Sequence, residues 1–257
     1  MISSGEVKEE KQNEIDKRKK EIEEKLSDVK RRIETIIQGK QARLVAVSKL
    51  KPISDIRLAY ELGQRHFGEN YLQELAEKSE KLPSDIQWHF IGTLQSNKCK
   101  MLAGIPNLWA VETIDSIKKA DLMNKACASR DDKLKVFLQV NTSGEESKSG
   151  IEPGECLEVL NYIQDNCNKL ELMGLMTIGA PNRDDSNESQ PNPDFMLLKN
   201  LKEEFKNVRG IELELSMGMS DDFEEALKLG ATNVRIGSTI FGSRPSKQEL
   251  KQDKCPS

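Results

Sequence analysis

The sequence predicts a single-domain (β/α)8 barrel with an extra helix at its N-terminus. Three observations predict it. Short apolar runs recur eight times, and each is followed by sequence of helical pattern. The clearest of them, Leu44-Val45-Ala46-Val47, is apolar throughout rather than alternating. That marks a strand buried on both faces, as in a parallel sheet. No Gly-x-Gly-x-x-Gly follows this first strand, which weakens the alternative of an open doubly wound sheet. At 257 residues the chain has an ordinary length for one such barrel.

The elements follow in order. From about Lys8 to Gln38 the chain is charged and amphipathic, with Ile15, Ile22, Leu26, Val29, Ile33, Ile36 and Ile37 at helical spacing. The stripe is narrow and holds no heptad for long, so the helix is expected on the outside of the barrel rather than in a coiled coil. The chain therefore divides into an extension over 1–40, a barrel over 41–245 and a polar tail over 246–257. Strand one runs from Leu44 to Lys49, and Pro52 suits the first turn of the helix from Ile53 to Leu62. Strand two is Arg65 to Gly68, with a helix from Asn70 to Lys81. Strand three is Gln87 to Gly92, with a short helix near Asn97 to Ala103. Strand four is Leu108 to Thr113, with a helix from Ile114 to Ser129. Strand five is Leu134 to Asn141, with a helix from Glu152 to Asn166. Strand six is Leu170 to Ile178, with a helix from Asp194 to Asn207. Strand seven is Ile211 to Ser216, with a helix from Asp221 to Leu229. Strand eight is Asn233 to Ile236, with a short helix near Thr239. Between Pro181 and Pro193 lies a polar, proline-flanked loop, read as a solvated insertion with a lid as its rival.

Composition narrows the function classes. A net charge of −4 argues against general binding to nucleic acid or anionic membranes. No apolar run approaches the roughly 20 residues of a membrane span. The first residues, Met1 to Glu6, have no apolar core for a signal peptide and are too acidic for a mitochondrial leader. Five cysteines, none in Cys-x-x-Cys spacing, make a disulfide framework or a zinc site a poor reading, and two histidines are too few for a histidine metal cluster. No metal is expected. A cytoplasmic, monomeric protein is expected.

Polar residues gather where the strands end. The tips carry Lys49, Asn70, His89, Glu112, Asn141, Thr177, Ser216 and Arg235. In a barrel these converge on one mouth, the usual active face. Each has a plain alternative: Lys49 as a surface lysine, Asn70 as a helix cap, His89 as a hydrogen-bonded core residue, Glu112 and Asn141 as partners of loop amides. Desolvation of Lys49 would lower its amine pKa and free a lone pair for attack on a carbonyl. After strand seven, Ser216-Met217-Gly218-Met219-Ser220 lets backbone come close to a ligand at Gly218 and offers Ser220 as a helix cap. After Arg235, the run Ile236-Gly237-Ser238-Thr239 sets backbone amides and hydroxyls at a helix start, where phosphate binds. Phosphate sites after strands seven and eight recur in this fold. A Schiff-base lysine with a phosphate cradle fits pyridoxal 5′-phosphate. Arg235 would then face the pyridine nitrogen. It is always protonated, so it donates to that nitrogen without protonating it, and the ring stays a weak electron sink.

The segments VSKLKP (47–52), FGENYLQE (67–74), WHFIGTLQSNK (88–98), VETIDS (111–116), QVNTSGEESKSG (139–150), GLMTIG (174–179), ELSMGMSDDF (214–223) and NVRIGSTIFG (233–242) resemble the pyridoxal-phosphate homeostasis protein family, with the wording of its animal members. The resemblance runs from about residue 40 to 245. It implies a barrel similar to the N-terminal domain of alanine racemase. It implies Lys49 as the Schiff-base lysine and Arg235 near the ring nitrogen. It further implies Ser216, Gly218, Gly237 and Ser238 around the phosphate, and Asn70 near the ring. The expected function is that of a cofactor carrier in vitamin B6 and amino-acid homeostasis, handing pyridoxal phosphate to apo-enzymes and without strong catalysis. The alternative is an amino-acid racemase. A racemase needs a second acid or base on the other face of the cofactor, and Tyr60, Tyr71 and Tyr162 all fall in expected helices.

Overall fold

The structure, a computed structural model, describes residues 4–145, 149–180 and 190–243, with side chains from residue 12 onward. Its order is α1 (Ser4–Ile37), β1 (Arg43–Val47), α2 (Ile53–Glu61), β2 (His66–Glu69), α3 (Leu72–Lys81), β3 (Gln87–Phe90), α4 (Cys99–Ala103), β4 (Leu108–Ile114), α5 (Ile117–Ala126), β5 (Leu134–Gln139), α6 (Cys156–Asn166), β6 (Leu170–Met176), α7 (Pro193–Arg209), β7 (Glu214–Ser216), α8 (Phe223–Lys228), β8 (Asn233–Ile236) and α9 (Ser238–Phe241). All eight strands are parallel and close into a barrel in sequence order. β1 closes it by pairing with β8, Val45 opposite Arg235 and Ala46 opposite Ile236. The expected fold class is what the chain adopts.

The strands form because their apolar runs are covered on the outer side by helices and fill the barrel on the inner side. The main apolar core lies between strands and helices, with Trp88, Phe67, Phe195, Phe205 and Phe223 fully buried in it. Helix starts are set by local chemistry. Ser116 accepts from the Lys119 amide ahead of α5, and Asn192 accepts from the Asp194 amide ahead of α7. The extension α1 packs against α2, α8 and α9, the helices flanking the β8–β1 seam. Ile22, Leu26, Val29 and Ile33 are buried beneath it, whereas Ile15 is 51% exposed. Arg18 ties it down by bonding to Asp55 at 2.6 Å and to the Phe241 carbonyl at 2.9 Å.

Several boundaries differ from expectation, each for a local reason. β1 ends at Val47. Ser48 and Lys49 enter a turn closed by the Lys51 amide on the Ser48 carbonyl, which swings the chain toward Pro52 and α2. β7 starts only at Glu214; ahead of it Glu212 pairs with Lys202 and Lys206 of α7. α3 begins at Leu72, so Tyr71 is not helical; it is extended, half exposed, and lies just beyond the C-terminal end of β2. Residues 181–189 of the polar loop and the tail beyond Ser243 lie outside the described residues.

Candidate functional site

The adjoining strands β1, β7 and β8 end in segments that carry Lys49, Ser220 and Ser238, with Arg235 on β8 itself. Lys49 is half-buried in the turn after β1. Its neighbour Lys51 is turned elsewhere: Nζ donates to the carbonyls of Phe241 at 3.1 Å and Ser243 at 2.5 Å. Leu50 sits at φ 60°, a left-handed conformation that costs a branched residue about 1–2 kcal/mol. The turn persists because its flanks are held. Lys78 Nζ donates to the Ser48 carbonyl at 2.8 Å, and the Leu50 amide donates to Glu74 Oε1 at 2.7 Å.

Arg235 is buried on β8 and held from two sides. Nη1 donates to Ser216 Oγ at 2.6 Å and Nη2 to the Thr177 carbonyl at 2.7 Å. Behind it runs a polar chain across the barrel interior. Ser216 Oγ donates to Glu112 Oε2 at 2.5 Å, and Asn233 Nδ2 reaches both Glu112 oxygens at 3.2 and 3.3 Å. His89 Nδ1 meets Glu112 Oε1 at 2.5 Å, and His66 Nδ1 meets His89 Nε2 at 2.9 Å. Side chains of β2, β3, β4, β7 and β8 can meet this way only inside the barrel, where alternate residues point. Burial pushes the Glu112 carboxyl up, but the bond from His89, the charge of Arg235 and the Ser216 hydroxyl outweigh it and hold the group below the usual carboxylate range. Burial lowers both imidazoles, His66 to about 3 with repulsion from His89 adding. Neutral histidines fix the pattern: His66 donates from Nδ1 to His89, and His89 donates from Nδ1 to Glu112. Burial lowers the Arg235 pKa while the Glu112 charge opposes that. The guanidinium thus has a buried carboxylate counter-charge one hydroxyl away.

The hydroxyl group lies beside it. Ser238 Oγ is 3.0 Å from Ser220 Oγ, and the Gly237 amide donates to Ser220 Oγ at 3.4 Å. A Cβ on Gly237 would stand 3.2 Å from both Cβ and the carbonyl oxygen of Val47, so this cradle abuts the end of the strand that leads into Lys49. Gly218 has φ 93°, and a Cβ there would stand 2.6 Å from Ala226 Cβ. Its glycine serves close packing on α8 and a backbone shape that other residues resist.

Of the residues singled out from sequence, Lys49, Arg235, Gly237 and Ser238 gather at the end of the β8–β1 seam, with Gly218 on the β7 side. Ser216 stands apart from the cradle: its hydroxyl is taken by Glu112, Asn233 and Arg235, and Ser220 is the serine beside Gly237 and Ser238. Asn70 follows β2, and its Oδ1 is buried with no hydrogen-bond partner among the described residues. Asn141 bonds within its own loop, but not to an amide as foreseen: Nδ2 donates to the Glu145 carbonyl and Oδ1 accepts from the Ser143 hydroxyl. His89 is the hydrogen-bonded core residue that its sequence context favoured. Unforeseen were His66, Glu69, Glu74 and Lys78. Strand alternation was the available signal for His66, but Glu74 and Lys78 read as an ordinary exposed helix pair.

The donor set suits an organic anion with a carbonyl. An amine can condense with an aldehyde, hydroxyls and an amide can receive a phosphate, a fixed guanidinium can donate to a ring nitrogen, and the Asn70 oxygen waits for a donor.

Comparison with known proteins gives the family. The family model described as alanine racemase, N-terminal domain, matches residues 22–245. A protein of Schizosaccharomyces pombe named pyridoxal phosphate homeostasis protein is 50% identical over 220 residues, covering 86% of this chain and 92% of its own. Its human namesake is 49% identical over 225 residues, 84% of this chain and 81% of its own. Among solved structures, PipY of Synechococcus elongatus, determined with pyridoxal phosphate bound, superposes with a TM-score of 0.74 at 30% identity over 86% of this chain and all of that one. Alanine racemase of Clostridium difficile shares the fold, with a TM-score of 0.69 at 13% identity, over 91% of this chain but 59% of that one. On barrel, motifs and relatives together, the chain belongs to the pyridoxal phosphate homeostasis protein family.

Proposed function

We propose that this protein holds pyridoxal 5′-phosphate at the mouth of its barrel as a Schiff base on Lys49, and that it acts as a carrier in vitamin B6 and amino-acid homeostasis rather than as a strong catalyst. What supports the reading is that Lys49 follows β1, which pairs with the β8 strand carrying the buried Arg235, and that the Ser220–Gly237–Ser238 cradle packs against Val47 at the end of β1. The bound form of PipY supports it. When bound, pyridoxal phosphate supplies an aldehyde and an electron-withdrawing ring. Lys49 Nζ would attack the aldehyde carbon, forming C=N and releasing the carbonyl oxygen as water. Ser220, Ser238 and the Gly237 amide would hold the phosphate, with Gly218 shaping the backbone beside it. Ser216 acts through Arg235. Arg235 would donate to the ring nitrogen and leave it unprotonated, which weakens carbanion chemistry. Asn70 would orient the ring through the oxygen that lacks a partner among the described residues.

The reading extends to the whole chain: residues 1–40 as an extension, 41–245 as one cofactor-binding barrel, 246–257 as a polar tail, and a monomer that passes its cofactor to apo-enzymes. A cytoplasmic setting suits the free Cys99, Cys127, Cys156 and Cys167. The test is chemical. Borohydride reduction of the loaded protein, followed by peptide mapping, is expected to find the pyridoxyl group on Lys49. Lys49→Ala is expected to lose the visible absorption and keep its circular dichroism. Modification of Lys51 instead would overturn the assignment.

A further inference from the structure

We propose that Lys78 and Glu74 are positioning residues for Lys49. With Glu69 they form a buried ionic clamp, anchored largely on α3, that fixes the backbone on both sides of Lys49 and so presents its amine for covalent capture of an aldehyde. This rests on the reading of Lys49 given above.

The geometry is specific. The Lys78 side chain is 5% exposed, although it belongs to an outer helix. An ammonium has three N–H donors, and Nζ has three acceptors: the Ser48 carbonyl at 2.8 Å, Glu69 Oε1 at 2.7 Å and Glu74 Oε1 at 2.6 Å. Glu74 Oε1 also receives the Leu50 amide at 2.7 Å, and Glu69 Oε1 also receives the Ser48 hydroxyl at 2.6 Å. The residue before Lys49 is thus held by Lys78 and Glu69, and the residue after it by Glu74. Leu50 is kept at φ 60° by this arrangement.

A purely structural account of α3 does not need these groups. Leu72 and Leu75 already bury its inner face, and a buried ion cluster is no more stabilising than apolar packing of the same volume. What the charges add is a fixed backbone at one turn, shared among β1, β2 and α3. A reacting group displaced by about 1 Å loses on the order of a hundredfold in rate. Holding Ser48 and Leu50 removes that displacement. The clamp therefore acts on bond formation to Lys49 and not on docking of the ring and phosphate, which contact other residues.

The probe pair follows from this. Pyridoxine 5′-phosphate carries an alcohol in place of the aldehyde, so it docks but cannot form C=N. In the full-length protein, Lys78→Met is expected to weaken pyridoxal 5′-phosphate binding and slow its borohydride-fixable capture, each by about tenfold or more. Binding of pyridoxine 5′-phosphate is expected to stay within about twofold of wild type, well inside the 1.4 kcal/mol that marks a tenfold change. If Lys78→Met does not fold, the Glu74 pair carries the test, because it leaves Lys78 bonded to Glu69 and Ser48. Glu74→Ala is expected to show the same selective loss. Glu74→Gln, which keeps an acceptor for the Leu50 amide, is expected to recover most of it. Equal weakening of both ligands, or no change in either, overturns the clamp. A wild-type protein that binds pyridoxal phosphate yet fixes none on Lys49 overturns the reading of Lys49 itself, and the clamp with it.

Discussion

The Glu69 carboxyl is fully buried, gives one oxygen to Ser48 and Lys78, and has no partner for the other among the described residues. Burial pushes its pKa up to about 7; Lys78 pulls it down and the Glu74 charge raises it further. In an unfolded chain the same group titrates near 4.5. Between those values the folded protein binds more protons than the unfolded one. This carboxyl therefore costs stability as pH rises through the window, and the cost is complete above about 7. Glu69→Gln removes the titration. Relative to wild type, the variant's added stability is expected to grow by on the order of 3 kcal/mol from about pH 4.5 to 7 and to stay at that level above 7. Urea unfolding across that range measures the gain. A difference that does not vary with pH would mean the carboxyl ionises normally. Residues such as Glu69 were illegible in the sequence. FGEN shows an acid at a strand end, but whether it meets water or Lys78 depends on where α3 lies. Lys49 and Arg235 were legible as residues at or near strand ends, because each borders a short apolar run. Close packing also changes how the cradle is probed. Gly237→Val would press on Val47 and so on the Lys49 strand, which makes Ser220 and Ser238 the cleaner positions for altering phosphate contacts.

At the level of elements, α1 shows how far a hydrophobic stripe predicts contact. Its seven apolar positions look equivalent by spacing, yet Leu26 is 2% exposed and Ile15 is 51% exposed. The difference comes from the shape of the barrel beneath. The buried positions lie over α2, α8 and α9. Leu26→Ala is expected to destabilise the protein by about 2–5 kcal/mol, the usual cost of a cavity in a packed core. Ile15→Ala is expected to stay within about 0.5 kcal/mol. Chemical unfolding of the two variants decides it; equal losses would mean that α1 is gripped along its whole length. All eight strands were legible, since each buried run is bounded by turn residues. Their ends were less so. Lys49 leaves β1 because of a turn bond between Ser48 and Lys51, and β7 begins only after Glu212, which pairs with lysines of α7. Those are tertiary and turn-level events that period and composition do not encode.

For the whole molecule, the carrier and racemase readings differ in what they require of the barrel mouth. Racemisation needs an acid or base on each face of the cofactor. Lys49 would serve one face. The tyrosines have been sorted by the fold. Tyr60 donates to Asp85 at 2.7 Å and Tyr162 to Asp121 at 2.8 Å, both from outer helices. Tyr71, expected in a helix, lies instead in the extended residue after β2, on the side of the mouth, and is 52% exposed. A solvent-exposed phenol keeps no fixed distance to a substrate, and proton transfer requires a donor within about 3.2 Å. If Arg235 donates to the ring nitrogen as proposed and leaves it unprotonated, the loaded protein is expected to racemise alanine or serine far below about 1 turnover per second, the low end of ordinary enzymes. Incubation with each enantiomer, followed by optical activity, measures this. The same preparation is expected to restore activity to an added apo-enzyme that needs pyridoxal phosphate, because an imine at Lys49, if formed as proposed, would be reversible. Tyr71→Phe separates the two readings. It is expected to leave transfer unchanged and to have no fast racemisation to remove. Turnover at enzyme-like rates that falls with Tyr71→Phe would make this protein a racemase with Tyr71 as its second acid, and the carrier reading would fail.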